Sequence, residues 1–344
     1  MSIIGRNRQP FTLKQKISTV GVCLLSIHLI GCAGAARKPL SLRAAYSPPP
    51  QALIGPPVTI AAAGDIACDP SDRHFNGGRG TENSCQMRAT SDVILRIHPS
   101  AVLALGDTQY EHGRLSEFLM SYDPTWGRFK NITYPAIGNH EYWTANAAGY
   151  FAYFGARAGP LGKAYYSYEI SSWHLIALNS DCAHVGGCGF GSPQERWLQN
   201  DLQNHVGQCI LAYWHHARFS SGLHGSNRAY LPFWKDLYQA GADLVLAGHD
   251  HDYEAFAPQD PKGHFDSKRG IREFVVGTGG KSHFKSYRFL PLRRYHDQNS
   301  ELENSNTFGV LRLELYGNGF AWRFEPIDGT FSDSGTGLCH AAAQ

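Results

Sequence analysis

At 344 residues the chain could form one large domain or two ordinary ones. Its 42% hydrophobic content and seven tryptophans supply a core, and no long acidic or basic block points to disorder. The formal net charge is +2, and Arg6, Arg8, Lys14 and Lys16 fall in an acid-free stretch of 31 residues; without them 27 basic side chains face 29 acidic ones, which gives no support to nucleic-acid binding.

Residues 1–31 read as an export signal: a basic start, then Ile17 to Ile30, mostly apolar and too short for a confident membrane span. Leu29-Ile30-Gly31-Cys32 resembles a bacterial lipoprotein cleavage box, which would make Cys32 a lipid anchor to a membrane. An ordinary cleaved signal ending near Ala33–Ala36 and an uncleaved anchor are the alternatives. Residues 32–57, with Ser47-Pro-Pro-Pro50, read as a Pro-rich tether, and 58–344 as one catalytic domain.

Buried-strand runs follow at Val58–Ala63, Ala101–Leu105, Cys209–Tyr213 and Ala242–Ala247, with a weaker one at Tyr134–Ile137. Helix-like segments lie between them at Gln86–His98, Ser116–Lys130, Pro193–Asn204 and Leu231–Ala240. Ser192-Pro193-x-Glu195 has a capping side chain and a proline where a helix starts. This alternation predicts an α/β sheet covered on both faces. Tyr165–Ile170, Trp173–Leu178, Ile271–Val276, Phe308–Leu315 and Phe320–Phe324 add strands, with Asn318-Gly319 as a hairpin turn, and point to a second sheet packed on the first.

Setting Cys23 and Cys32 aside leaves an even number of cysteines in an exported chain, which favours disulfides. Cys182 and Cys188 enclose a Gly-rich turn, Cys68 and Cys85 bracket a polar loop, and Cys209 with Cys339 follows by elimination. Free buried cysteines are the alternative.

Each early strand run ends near a candidate metal ligand: Gly64-Asp65, Leu105-Gly-Asp-Thr-Gln-Tyr110, Gly138-Asn139-His140-Glu141, His215-His216 and Gly248-His249-Asp250-His251. Ligands placed just after strands converge along one edge of an α/β sheet. Hydrolysis of a phosphate ester needs a hydroxide at moderate pH and neutralised phosphoryl oxygens, and two metals clamped together supply both. Asp107 is the natural bridging carboxylate. Asp65 and the Tyr110 phenolate add anions that suit a trivalent ion, and His251 completes that site; Asn139, His215 and His249 suit Zn(II), Fe(II) or Mn(II). His216 is expected to point away from the ligands, and Asp92 and Asp243 to cap or face solvent.

In order and residue type, these five blocks resemble the calcineurin-like metallophosphoesterases, and within them the purple acid phosphatases. The likeness covers Asp65 to Tyr253 and continues weakly through Gly277-Thr-Gly-Gly280. It implies a four-layer α/β/β/α sandwich of two mixed β-sheets flanked by helices. It also implies a dinuclear metal centre with Fe(III) on Asp65, Asp107, Tyr110 and His251, and a divalent ion on Asp107, Asn139, His215 and His249. Tyr–Fe(III) charge transfer would colour the protein. The first block, Asp65-Ile66-Ala67, lacks the histidine of many relatives, and Tyr110 supplies the replacement. Other departures are Ala212-Tyr-Trp-His215, Ala217 where proline is common and Ala255 where arginine is common. His140 and His224 match positions of outer-sphere histidines that contact phosphate and protonate the leaving group.

The expected protein is an exported phosphomonoesterase acting by direct attack of a metal-bound hydroxide on a small phosphate ester. A phosphodiesterase or nucleotidase on the same metal core is the alternative, and a non-catalytic metal-dependent binding lipoprotein a more distant one.

Overall fold

The computed structural model describes residues 52–284 and 297–340. The expected signal segment 1–31 and the Cys32 anchor lie outside the described residues. Among the latter, two mixed sheets form, and their central strands are apolar runs buried on both faces.

The first sheet holds β1 (Val58–Ala63), β2 (Ala101–Leu105), β3 (Thr133–Ala136), β11 (Gly309–Tyr316), β12 (Gly319–Pro326) and β13 (Ser334–Leu338), in the order β13-β12-β11-β1-β2-β3. Within it β1, β2 and β3 run parallel, and β11 closes antiparallel on β1. The second sheet has the order β10-β8-β9-β7-β6-β5-β4. Its strands are β4 (Tyr166–Ile170), β5 (Trp173–Ala177), β6 (Cys209–His216), β7 (Leu244–Gly248), β8 (Tyr253–Phe256), β9 (Arg272–Val276) and β10 (Ser300–Asn304). Here β5, β6, β7 and β9 are parallel, and β4, β8 and β10 pair antiparallel at the edges.

Strand alternation splits the core in two. Leu211 and Tyr213 of β6 and Leu244 and Leu246 of β7 share one buried cluster with residues of the first sheet such as Leu103 and Leu313. Ile210, Ala212, Trp214, Val245 and Ala247 face the other way, against Leu198 and Leu202 of α4 (Pro193–Gln203) and Phe233, Trp234 and Leu237 of α5 (Leu231–Ala240). On the outside of the first sheet lies α1 (Met87–Ile97), burying Val93 and Ile94. The result is the helix–sheet–sheet–helix layering expected from the resemblance. The Ser192 hydroxyl caps α4 by accepting the Glu195 amide at 3.3 Å, with Pro193 in the first turn. All three expected disulfides form: Cys68–Cys85, Cys182–Cys188 and Cys209–Cys339.

Three expectations need correction. The expected helix Ser116–Lys130 breaks into a single turn, α2 (Leu115–Glu117), a wider π-type turn over Phe118–Tyr122 and a 3₁₀ segment over Trp126–Ile132. Pro124 sits between the last two; it has no amide to donate and disfavours helix at the preceding residue. A further short helix, α3 (Ala148–Phe154), buries Tyr150 and Phe154. The β11–β12 hairpin pairs Tyr316 with Gly319, one residue earlier than expected. Asn318 is thereby freed to accept the Ile54 amide at 2.8 Å and donate to the Ala52 carbonyl at 3.0 Å. Asp243 does not face solvent: it is buried, accepting the Ile210 amide at 2.9 Å and the His340 amide at 2.7 Å beside the Cys209–Cys339 bond.

Candidate metal centre

The parallel strands of both sheets end toward one place, and residues at or beyond those ends carry the donors. Three of these residues, Asp65 (φ 59°), Asp107 (φ 46°) and His249 (φ 71°), adopt left-handed backbone. Such conformations cost of order 1–3 kcal/mol each and cluster at functional sites. Here they turn the side chains inward while the chain continues outward. Backbone bonds hold the turns together: the Asp65 amide donates to the Gly106 carbonyl at 3.1 Å, and the Ile66 amide to the Asp107 carbonyl at 3.0 Å.

On one side of the cluster the Tyr110 hydroxyl donates to Asp65 Oδ1 at 2.8 Å and lies 3.1 Å from His251 Nε2. His251 Nε2 is itself 3.3 Å from Asp65 Oδ1, and its Nδ1 is 3.0 Å from Ser282 Oγ. On the other side His215 Nε2 lies 3.3 Å from Asp107 Oδ2 and 3.3 Å from His249 Nδ1. His215 Nδ1 is 2.9 Å from the Leu105 carbonyl, so Nδ1 carries the proton and Nε2 faces the cluster. The halves join through Asp65, whose Oδ2 accepts the His249 amide at 2.8 Å, and one donor atom each of Asp65, Asp107 and His215 falls within 4.8 Å of the others.

Asn139 enters on the Gly138–Glu141 turn. The next amide, His140 N, donates to Asp107 Oδ1 at 2.9 Å. Asn139 Oδ1 is buried and lacks a hydrogen-bond partner among the described residues. An orphaned carboxamide oxygen, one residue from the amide that meets Asp107, is costly in a closed cluster and natural at a cation site. The approach is so close that a Cβ at Gly138 would sit 2.2 Å from Asp107 Oδ1, and one at Gly106 (φ +85°) 2.6 Å from the His215 ring. The glycines of these motifs are therefore packing requirements of the ligands they precede.

Electrostatics follow from burial. Burial and the Asp107 and Asp65 carboxylates push the Tyr110 phenol well above its ordinary range. Burial alone would raise Asp107, but His215 and His140 outweigh it and hold the carboxyl well below the usual range. Burial and the neighbouring imidazoles of His215 and His216 keep His249 neutral. A cation among these groups becomes the largest local charge and reverses the direction at Tyr110.

His140 and His224 flank the cluster. His140 Nδ1 donates to the Glu111 carbonyl at 2.7 Å, leaving Nε2 3.9 Å from Asp107 Oδ2, and its ring tilts on Tyr110 with centroids 4.3 Å apart. His224 is more open; its ring lies 3.9 Å from that of His249, and Asp250 Oδ1 accepts both its amide at 2.8 Å and its Nδ1 at 3.0 Å. His216 does not turn fully away: one of its ring nitrogens falls within 4.8 Å of donors on His215 and His249, while Nδ1 meets Ser180 Oγ at 2.8 Å. Burial and His215 lower its pKa to about 3, which keeps that imidazole neutral.

Four supports escaped sequence reasoning. Glu141 accepts Gly138 N, Thr108 Oγ1 and Gln109 N, tying two ligand blocks together. Asp250 holds the His224 loop, and Ser282 and the Leu105 carbonyl orient His251 and His215. Only Glu141 and Asp250 had a signal, since each sits inside a ligand motif.

A model of the calcineurin-like phosphoesterases matches residues 58–253. The chain belongs to this family. It is 30% identical over 185 residues to the uncharacterized Mycobacterium tuberculosis protein Rv2577, covering 43% of this chain and 35% of that one. It is 26% identical over 230 residues to probable purple acid phosphatase 20 of Arabidopsis thaliana, covering 58% and 48% respectively. Among solved structures, purple acid phosphatase PPD1 of yellow lupin superposes with a TM-score of 0.63 at 17% identity, over 81% of this chain and 53% of that one. The chain thus spans about half or less of the length of these relatives. The family implies a dimetal centre. The donor set gathered here, two carboxylates, a phenol, a carboxamide oxygen and three imidazoles, fits such a pair of ions.

Proposed function

We propose that this calcineurin-like phosphoesterase is an exported hydrolase of phosphomonoesters with a dinuclear centre like that of purple acid phosphatases. Asp65, Asp107, Tyr110 and His251 would hold Fe(III), and Asp107, Asn139, His215 and His249 a divalent Zn, Fe or Mn. When bound, the two ions supply the Lewis acidity that makes hydroxide available at moderate pH and neutralise charge on the phosphoryl oxygens. The carrying observation is that an anionic group built on Asp65 and Tyr110 lies against an imidazole-rich group of His215 and His249, with one donor atom each of Asp65, Asp107 and His215 within 4.8 Å of the others.

The chain's own residues do the rest. Tyr110 and the carboxylates set the charge of the site. His140, with Nδ1 committed to the Glu111 carbonyl, has Nε2 free to contact a phosphoryl oxygen and to protonate the departing alkoxide. His224, anchored by Asp250 beside the His249 ring, serves the same end. The ligands do not read the alcohol, so diesters compete with monoesters as substrates. Export rests on the N-terminal segment and on three disulfides, which suit an oxidising compartment. A Cys32 lipid anchor would tether the enzyme to a membrane; no described helix is long and apolar enough to cross one.

The experiment is hydrolysis of an aryl phosphate and a bis-aryl phosphate by metal-loaded protein and by His140→Ala. The monoester is expected to turn over faster, and the variant to lose about 10²-fold in kcat with its metals retained, the usual scale for a general acid. Faster diester turnover moves the assignment to a phosphodiesterase. No turnover of either substrate supports the binding lipoprotein instead.

A further inference from the structure

The 3₁₀ turn His140–Trp143 carries more than the histidine and glutamate already placed at the centre. Glu141 is fully buried, and the Tyr142 hydroxyl accepts the Asn179 side-chain amide at 2.8 Å while its ring stacks on His184, centroids 3.8 Å apart. Just after the turn, the Thr144 hydroxyl donates to the His112 carbonyl at 2.6 Å. Trp143 stands between these anchors and is 58% exposed. A lone exposed tryptophan needs no explanation. This one is held beside the proton donor.

The indole lies against His140, ring centroids 4.4 Å apart and 32° between planes, and the His112 ring meets it edge-on at 5.6 Å. His140 in turn lies against Tyr110. Exposure rises along this row of rings, from 2% at Tyr110 through 15% for the His140 side chain to 58% at Trp143. The row therefore leads from the metal ligands to solvent. The other flanking histidine, His224, has the Phe284 ring at 5.4 Å, but that ring lies flat on His251 at 4.0 Å and is partly buried. Of the two, Trp143 offers the more open aromatic surface.

We propose that Trp143 selects the alcohol half of the substrate, as a platform for a planar aromatic ring joined to phosphorus through the ester oxygen, the geometry of a phenolic monoester. The inference rests on the phosphoesterase reading above, with His140 Nε2 giving its proton to that oxygen. An alcohol released there departs along the row of rings. A flat π-system gains offset or edge contact with the indole that a saturated chain does not. The spacing between His140 and Trp143 sets the reach: the aromatic ring must follow the ester oxygen directly, whereas a nucleoside places a pentose between them.

The test compares phenyl phosphate, glycerol phosphate and adenosine monophosphate as substrates of the metal-loaded full-length protein, Trp143→Leu and Trp143→Phe. Leucine keeps apolar cover on His140 without a ring, and at so exposed a position folding should survive, with circular dichroism as the check. The ratio of kcat/KM for phenyl over glycerol phosphate is expected to fall about fivefold in Trp143→Leu, through KM, and to recover in Trp143→Phe, the scale of one aromatic contact. An equal loss on all three esters makes Trp143 a mere support for His140 and overturns the platform, as does a larger effect on adenosine monophosphate. Calorimetry with benzylphosphonate and methylphosphonate, which are not hydrolysed, separates the platform from the hydrolase reading. Wild-type protein should hold the benzyl compound about fivefold more tightly than the methyl one, a preference Trp143→Leu loses. Tighter benzylphosphonate binding without turnover upholds the platform and removes only the hydrolase. Equal affinities in the wild type, binding of neither compound, or a preference that survives in Trp143→Leu overturns the platform, whatever the protein hydrolyses.

Discussion

Asp107→Asn is expected to lower kcat/KM for an aryl phosphate by on the order of 10³-fold, about 4 kcal/mol of transition-state stabilisation. Asp107 has a donor atom within 4.8 Å of donors on both Asp65 and His215, and it is 2% exposed. The substitution removes one charge and almost no volume. Asparagine tolerates the left-handed backbone at this position, and its oxygen can still accept the His140 amide. The fold should therefore survive while the shared anion is lost, leaving His215 Nε2 beside a neutral carboxamide. The check is steady-state kinetics together with metal content: activity and bound metal should fall together, with the circular dichroism unchanged. Wild-type turnover in a metal-depleted Asp107→Asn protein would remove Asp107 from the centre.

Glu141→Leu should be the most destabilising change near the site. Its side chain is fully buried and serves three donors: Gly138 N at 2.8 Å, Thr108 Oγ1 at 2.8 Å and Gln109 N at 3.1 Å. Leucine fills the space and leaves all three unpaired, at ~1–3 kcal/mol for each orphaned group. A total loss of about 3–5 kcal/mol in denaturant unfolding is the expectation, because the turns can partly relax toward other acceptors. Glu141→Gln keeps an acceptor oxygen for part of the set and should cost less. If leucine proves no worse than glutamine, the Gly138–Glu141 turn is held by something other than these bonds.

The strands nearest the site were legible because their signals are local. Val58–Ala63 and Ala101–Leu105 are short apolar runs closed by glycine, and the structure begins and ends them at those residues. Leu231–Ala240 is likewise a helix with proline in its first turn and Gly241 in left-handed backbone after it. Edge strands were not legible. Ser300–Asn304 and Ser334–Leu338 have little apolar alternation and exist through pairing with Tyr253–Phe256 and Gly319–Pro326. The break in 116–130 does have a local signal, Pro124. The same division holds at the site. The sequence carries ligand identities as side-chain types next to glycine, whereas a backbone carbonyl such as that of Leu105, or a distant hydroxyl such as that of Ser282, leaves no mark on composition or spacing.

The most direct test of the centre is the visible absorption spectrum of the iron-loaded protein, with iron content, beside that of Tyr110→Phe. Phenylalanine keeps the ring and removes only the oxygen that meets Asp65 and His251. A tyrosinate-to-iron band in the wild type that vanishes in the variant is the predicted result. An unchanged band in Tyr110→Phe, or a colourless wild type with Fe(III) bound, would contradict it.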